Sequence, residues 1–392
     1  MSEIKVNSIK GVAASSAAIS INNSDGTCTA NLTNRTNKNL IINGAMQVAQ
    51  RGTSSTSLGY YTIDRFYLDA QATDENPTQA QVDVASGTSP YTLGFRKAFK
   101  ITNGNQTSGA GTADLIYFHQ KIEAQNIANS GWNYTSTSSF ITLSFWIKSS
   151  VSQTFKGHLK TDDGTAQIYH FETGSLTADT WTKITKTILG NSNLTFNNDT
   201  GTGLRVVITP FAGTDFTASS ANENAWQAYS GSIFGGKDNT STWYTTNDAT
   251  LEITGVQLEV GSVATDFEHR SYADEVKLCE RYFQTSFEKG QAPTHGLTKY
   301  VYRMTRPFAS NIVTGMGCEL RTEMRATPTT IIYTTSNGSN STTNRVSYYD
   351  GSWTSAAISI HESLNTKSIA FDGTLSSSAV LYQFNFTCES EL

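Results

Sequence analysis

The chain has 392 residues, a net charge of −5 and 16% charged residues, against about 25% in typical soluble proteins. That length exceeds one ordinary domain and allows two sizeable cores and an arm. Lys and Arg gather in no block, which removes the electrostatic case for nucleic acid, and no apolar run approaches the roughly 18 residues that a membrane span needs.

Ser, Thr, Asn and Gly replace the missing charge. Aromatic residues make up 11% of the chain and fall mostly inside alternating segments, a profile of β-sandwiches and extracellular fibres rather than of a disordered chain. Six prolines rule out a proline-rich linker. The opening MSEIKVNSIKG lacks an apolar signal region, so synthesis and folding in a cytoplasm are expected. The sequons Asn31-Leu-Thr and Asn193-Leu-Thr then follow from Ser/Thr richness alone.

Residues 1–37 carry short apolar alternations, Ile4/Val6 and Ile19/Ile21, separated by turn formers such as Asn22-Asn23-Ser24-Asp25-Gly26. A segment this short buries no core alone. It is either disordered or an extended arm that pairs with copies of itself or with another protein. Residues 38–270 read as one antiparallel, jelly-roll-like β-sandwich. Its expected strands are Leu40–Val48, Asp64–Ala70, Phe95–Ile101, Leu115–Ile122, Phe140–Lys148, Ala166–Phe171, Trp181–Leu189, Leu204–Pro210 and Thr250–Val260. Ile141, Leu143, Phe145 and Ile147 alternate with Thr142, Ser144, Trp146 and Lys148, as a central strand requires. Asp162-Asp163-Gly164 and Asp199-Thr200-Gly201 are turn signals.

Residues 271–392 hold one helix and a second, C-terminal β-domain. Ser271 is placed as an N-cap, with Asp274 and Glu275 in the first turn, where the helix dipole favours carboxylates. Tyr272, Val276, Cys279 and Phe283 recur at helical spacing, which predicts a helix over 271–284 packing Val276, Cys279 and Phe283 on a β-domain. The last strand, Val380–Cys388, alternates Val380, Tyr382, Phe384 and Phe386 against Leu381, Gln383, Asn385 and Thr387. The fold class is therefore all-β apart from that helix.

Three segments carry a resemblance: NLIINGAMQVAQR at 39–51 followed by YTIDRFYLD at 61–69, VQLEVGSVATDFEHRSYADEVKLCERYFQ at 256–284, and EMRATPT at 323–329. Together they resemble tail-fibre and minor tail proteins of tailed bacteriophages. The resemblance implies a virion protein whose N-terminal arm docks on other tail proteins. It also implies a homotrimer, since fibres need an axis with equivalent arms. The C-terminal domain would face the host and adhere to a surface glycan or protein receptor, with no enzymatic activity. The alternatives are a tailspike that depolymerises polysaccharide, a head or neck decoration fibre, and a carbohydrate-binding module cut from a secreted enzyme. The central region also resembles carbohydrate-binding modules at the level of pattern. Such modules often hold a structural Ca²⁺ near the ends of the sandwich, where Asp64, Asp69, Glu252, Glu259, Asp266 and Glu268 fall. Ordinary edge charges explain these six more simply.

No P-loop, GxGxxG, HExxH or GxSxG occurs. His119, His158, His170, His269, His295 and His361 are scattered, with no metal-ligand spacing, and each reads as a satisfied surface or sheet histidine. Cys28, Cys279, Cys318 and Cys388 show no CxxC spacing and read as buried free thiols. Neither a cofactor nor a metal is expected. Asp162 and Asp163 read as hairpin-turn residues rather than a catalytic pair. Aromatic loops are the positive hint, because sugars stack on Trp and Tyr rings backed by polar side chains. The candidates are Tyr348, Tyr349 and Trp353 around Asp350-Gly351, then Trp226, Tyr229, Trp243 and Tyr244 in the polar insertion 212–249, then Trp132 and Tyr134; for each stretch a place in the core or at a trimer contact is the simpler alternative.

Overall fold

In the computed structural model the described residues are 6, 8–9, 19–21, 28–30, 37–299, 301–305, 312–335, 343–360, 366–374 and 381–392. Within the arm, β1 (Ser8–Ile9), β2 (Ile19–Ile21) and β3 (Cys28–Ala30) form a small antiparallel sheet. Ile4 lies outside the described residues, while Val6 is exposed.

Twelve strands follow in the next stretch: β4 (Ser54–Ser55), β5 (Tyr67–Gln71), β6 (Thr78–Asp83), β7 (Lys97–Thr102), β8 (Leu115–Glu123), β9 (Phe140–Ser149), β10 (Thr154–Thr161), β11 (Gln167–Ser175), β12 (Thr182–Leu189), β13 (Thr202–Ala212), β14 (Trp226–Ala228) and β15 (Thr250–Val260). They make two six-stranded antiparallel sheets, ordered β14-β11-β10-β13-β8-β5 and β12-β9-β15-β7-β6-β4. The chain crosses from one sheet to the other between β8, β9 and β10 and again between β11, β12 and β13, in the jelly-roll manner. Inward rows such as Phe118, Phe145, Ile208 and Ile253 interlock in one core, each at most 3% exposed. Three short helices, α1 (Ser89–Thr92), α2 (Ala124–Ala128) and α3 (Thr242–Thr245), fill connections.

Leu40–Val48 is not a strand. It runs as turns, with Asn43 and Met46 at positive φ. The Asn43 amide replaces a ladder partner: its Nδ2 donates to the Val48 carbonyl, and its Oδ1 accepts from the Val48 N–H. Gly44 sits so close to β15 that a Cβ would lie 2.1 Å from the Val256 carbonyl oxygen. Ile41, Met46 and Val48 are still buried, and the segment touches β15 through two separate backbone bonds, Leu40 N–H to the Leu258 carbonyl and Val256 N–H to the Gly44 carbonyl. Strands β4, β6, β10 and β14 lie where no strand is expected from the sequence.

The remaining elements are α4 (Tyr272–Glu280), β16 (Phe283–Thr285), β17 (Tyr302–Thr305), β18 (Ile312–Glu319), β19 (Thr329–Tyr333), β20 (Arg345–Tyr349), β21 (Trp353–Ile360), β22 (Ser368–Thr374) and β23 (Leu381–Glu389). The eight strands form one antiparallel sheet around β23, which pairs with β16, β17, β19 and β20. Ser271 caps α4, its hydroxyl oxygen accepting from the Asp274 N–H at 3.2 Å. The helix stops before Phe283, which lies on β16. Val276 and Cys279 pack on Val48 and Ile42 rather than on the C-terminal sheet.

The three motif segments meet at this joint. Glu268 accepts from the Asn37 and Asn39 N–H groups, Arg270 donates to the Asn39 and Ile41 carbonyls, and Glu275 accepts from the Asn43 N–H. Arg51 and Arg65 both pair with Glu391, Arg281 pairs with Glu123, and Arg325 donates to the Thr200, Ser390 and Glu391 carbonyls. Buried charges survive only when paired and hydrogen-bonded, so residues far apart in sequence are tied to one geometry. The motifs are structural.

Candidate functional site

Strands β20 and β21 form a hairpin closed by Asp350-Gly351-Ser352. Gly351 has φ +107°, with nothing within 4 Å of where its Cβ would stand, so the turn is open to solvent. Tyr349 and Trp353 are direct cross-strand partners, their ring centroids 5.6 Å apart and tilted by 57°. They are 38% and 42% exposed, among the few large apolar side chains on the surface. Tyr348 points the other way, half-buried against the core of the sheet, opposite Tyr382. The expected cluster is thus split: Tyr349 and Trp353 share the outward face, Asp350 sits in the turn, and Tyr348 packs inward.

Cross-strand register defines the rest of this face, because directly opposed side chains share a side of the sheet. The next row on that side is Ser355, Ser347, Gln383 and Arg303, but Ser347 and Gln383 are buried and bonded to Thr334 and Thr335. Arg345, one row further, bends back: its Nε donates to the Ser355 hydroxyl at 3.2 Å and its Nη2 to the Ser355 carbonyl at 2.9 Å. The exposed pair of aromatic rings, with Ser355 and Arg345 beside it, suits an apolar sugar face with polar groups at its edge.

The other aromatic candidates are core residues, which corrects the expectation that they line a binding loop. Trp243 and Tyr244 are 0% and 1% exposed; Tyr244 stacks on Phe211 at 4.2 Å and donates to Asp114. Trp226 is buried on β14, its indole N–H donating to the Leu189 carbonyl. Trp132 is also buried, and Tyr134 packs edge-on to Phe196. Tyr229 is half-buried beneath the Lys160 ammonium. The insertion 212–249 folds its rings inward, since its polar residues alone could not hold it to the sandwich.

The carboxylates considered for Ca²⁺ do not converge. Asp64 accepts from Gln50, Asp69 from Tyr117, and Glu259 from Thr265 and Gln257; Glu252 pairs with Lys148 and Glu268 with Arg270. Among the described residues no group of three or more His, Cys, Asp or Glu is arranged to hold a metal ion. Asp162 and Asp163 do sit in the β10–β11 connection, where Asp162 accepts from Lys160 and Arg205 and Asp163 from Asn197. Cys279 and Cys388 are buried thiols and Cys318 is half-buried; the Cys28 side chain lies outside the described residues. A surface cavity of about 750 Å³ opens at the joint beside Lys38, Phe267, His269 and Lys277. The Glu268, Arg270 and Arg281 side chains on its wall are already committed to ion pairs.

The histidines are not scattered in space. Register places Tyr67, His119, Val207, His158 and His170 in one row across β5, β8, β13, β10 and β11, on the face opposite the core residues Phe118 and Ile208. The segment after β13 covers them, with Phe234 edge-on to His158 and the Ile233 carbonyl 2.7 Å from His170 Nε2. His119 stacks between Tyr67 and Tyr117, and neither of its ring nitrogens has a hydrogen-bond partner among the described residues; His158 Nε2, His170 Nδ1 and His295 Nδ1 have none either. The reading of satisfied histidines therefore fails for His119 and leaves one ring nitrogen of each of the other three without a partner. Burial holds His119 and His158 well below the ordinary imidazole value, helped by nearby Lys121 for the first and by His170 and Lys160 for the second. His361 lies outside the described residues. Only a strand-by-strand alignment of β8, β10 and β11 would have revealed the row.

No protein-family model and no curated protein matches this chain. Among solved structures, the enzymatically active domain of tailspike protein 4 of bacteriophage CBA120 is 13% identical with a TM-score of 0.31, covering 57% of this chain and 21% of that one. A family 11 carbohydrate-binding module from Clostridium thermocellum is 8% identical with a TM-score of 0.24, covering 56% and 99%. The CBM22-1 xylan-binding domain of Paenibacillus barcinonensis Xyn10C is 8% identical with a TM-score of 0.27, covering 58% and 96%. At these TM-scores nothing is carried over from them to this chain.

Proposed function

We propose that this chain is a glycan-binding fibre protein of a phage tail, a homotrimer without enzymatic activity that docks on other tail proteins through its N-terminal arm. The observation that carries the adhesive role is the Tyr349–Trp353 pair, exposed on the outward face of the C-terminal sheet with Ser355 and Arg345 beside it. The virion assignment rests on the resemblance of the three motif segments, which contact one another in the fold. Weak single sites would gain useful adhesion from three copies acting together.

Replacing Tyr349 and Trp353 with Ala tests the adhesive role. Both rings are exposed, so the variant should fold as the parent does while adsorption to host cells falls. Unchanged adsorption by the folded variant would reject the hairpin as the site. Light scattering of the full-length chain should give three times the chain mass; a stable monomer at micromolar concentration would reject the trimer.

A further inference from the structure

We infer that the glycan held at this hairpin is acidic, an inference that rests on the reading of the hairpin as a glycan site. Two guanidinium groups lie on the aromatic pair's own face of the sheet. Among the described residues, Arg303 is exposed and donates to the Gln383 side-chain oxygen, at 3.2 and 3.0 Å, and Arg345 donates to Ser355. Neither meets a carboxylate among the described residues, whereas most other arginines of the chain do: Arg51, Arg65, Arg205, Arg270, Arg281 and Arg321 each pair with Asp or Glu.

The spacing fits one sugar unit and its substituent. Rows two residues apart along a strand are separated by about 7 Å. Arg345 reaches back to the Ser355 row, so its guanidinium stands roughly that far from Trp353 along β21. A ring stacked on Trp353 and Tyr349 therefore points one edge at Arg345. Among the described residues the acids on this side of the sheet are Asp350, in the turn at the opposite end of the aromatic pair, Asp372, opposite Ser359 further along β21, and, further off, Glu319 opposite Ser368 and Glu389 near the end of β23. An acidic ligand thus has one orientation, its anion toward Arg345 and away from Asp350. Fixed guanidinium forks favour carboxylate and phosphate oxygens over neutral hydroxyls.

The test is an array of bacterial surface glycans probed with the full-length chain, each glycan printed in native, carboxyl-reduced and dephosphorylated forms. Native acidic glycans should bind, and removing the anionic group should weaken binding about tenfold, the usual scale for one hydrogen bond to a charged group. Loss on carboxyl reduction identifies a uronic- or sialic-type acid; loss on dephosphorylation identifies a phosphate ester. Arg345→Gln should erase the preference, so that native and treated forms of a glycan bind alike. The comparison of native with treated glycans on the unaltered chain decides the matter should that variant lose its hairpin. Binding that ignores both treatments overturns the acidic assignment and leaves the glycan site standing. No binding anywhere, or binding that persists in the folded Tyr349→Ala/Trp353→Ala variant, overturns the glycan site itself.

Discussion

Mild acid should destabilise the sandwich through its row of histidines, and His119→Phe should relieve part of the loss. His119, His158 and His170 are each at most 4% exposed, and burial lowers all three from the ordinary value of 6.5. The groups around them are mixed: Lys121, Lys156, Lys160 and Arg205 from the sheet, Asp69, Asp162 and Glu172 beside these, and Glu223 from the covering segment. In the unfolded chain the three imidazoles take up protons below about pH 6.5, whereas in the fold they stay neutral, so the unfolded state binds more protons. Their contribution is complete above that pH and is lost as the pH falls, until the folded imidazoles themselves protonate. Each withdraws about 1.4 kcal/mol per pH unit in that window, and all three about 4 kcal/mol per unit, out of a typical total of roughly 5–15 kcal/mol. Phenylalanine fits the stack between Tyr67 and Tyr117 and adds no unbonded nitrogen. The stability gap between His119→Phe and wild type should therefore widen by about 2 kcal/mol from pH 6.5 to 5.0. Burial also raises Asp64 and Glu275, whose protonation acts in the opposite sense, but they are common to both proteins and cancel in the difference. Urea unfolding followed by fluorescence of the buried Trp132, Trp226 and Trp243 reads the gap. A gap that stays constant from pH 7.5 to 5.0 would refute the reasoning.

Trp243→Ala should cost about 3–5 kcal/mol, because a fully buried indole packed edge-on to Phe155 leaves a cavity in the sandwich core; thermal unfolding measures it. Glu123→Ala should cost about 3–5 kcal/mol by stranding Arg281 and the Tyr282 hydroxyl, which donate to that carboxylate at 2.7 and 2.5 Å. Proteolysis of this variant should cut near residues 262–299, where the sandwich and the last sheet are joined. Tyr349→Ala/Trp353→Ala should change stability by less than about 1 kcal/mol, since both rings are exposed; a larger loss on denaturant titration would mean that they pack against something.

Period-2 alternation was enough to locate the strands that face one core and one outward side. Thr250–Val260 runs to the residues that the alternation marks, and Leu115–Glu123 and Phe140–Ser149 to within one. It failed for β10, TFKGHLKT, because nearly every residue there is buried on both faces: core on one side, the covering segment on the other. A strand buried on both faces has no polar face to alternate. The opposite error occurred at 40–48, where apolar residues alternate but Asn43 supplies the hydrogen bonds that a neighbouring strand would otherwise make. Helical spacing carried α4 to Phe283, yet the helix ends at Glu280 because Phe283, Gln284 and Thr285 pair with β23. Hydrogen bonds to a strand a hundred residues away outweighed one further turn of local helix.

Aromatic content identified ring-bearing loops but not their orientation, and orientation decides which rings can meet a ligand. Tyr348 and Tyr349 are adjacent in sequence and face opposite sides of the sheet, as any two consecutive strand residues must. Trp243 and Tyr244 are adjacent too, yet both are buried, because α3 turns them together toward Phe155 and Phe211. The difference lies in what stands on the far side. Beyond the outward face of β20 and β21 no described residue covers Tyr349 or Trp353, whereas the insertion 212–249 is itself a cover and needs its rings to adhere to the sandwich. The same rule applies to the histidines: a covering segment turned an outward sheet face into an interior without altering its polar residues. Removing His119 from that interior by His119→Phe separates a group kept for chemistry from one merely trapped there. If adsorption is unaffected while acid stability rises, the row belongs to the fold, and the exposed hairpin remains the candidate binding surface.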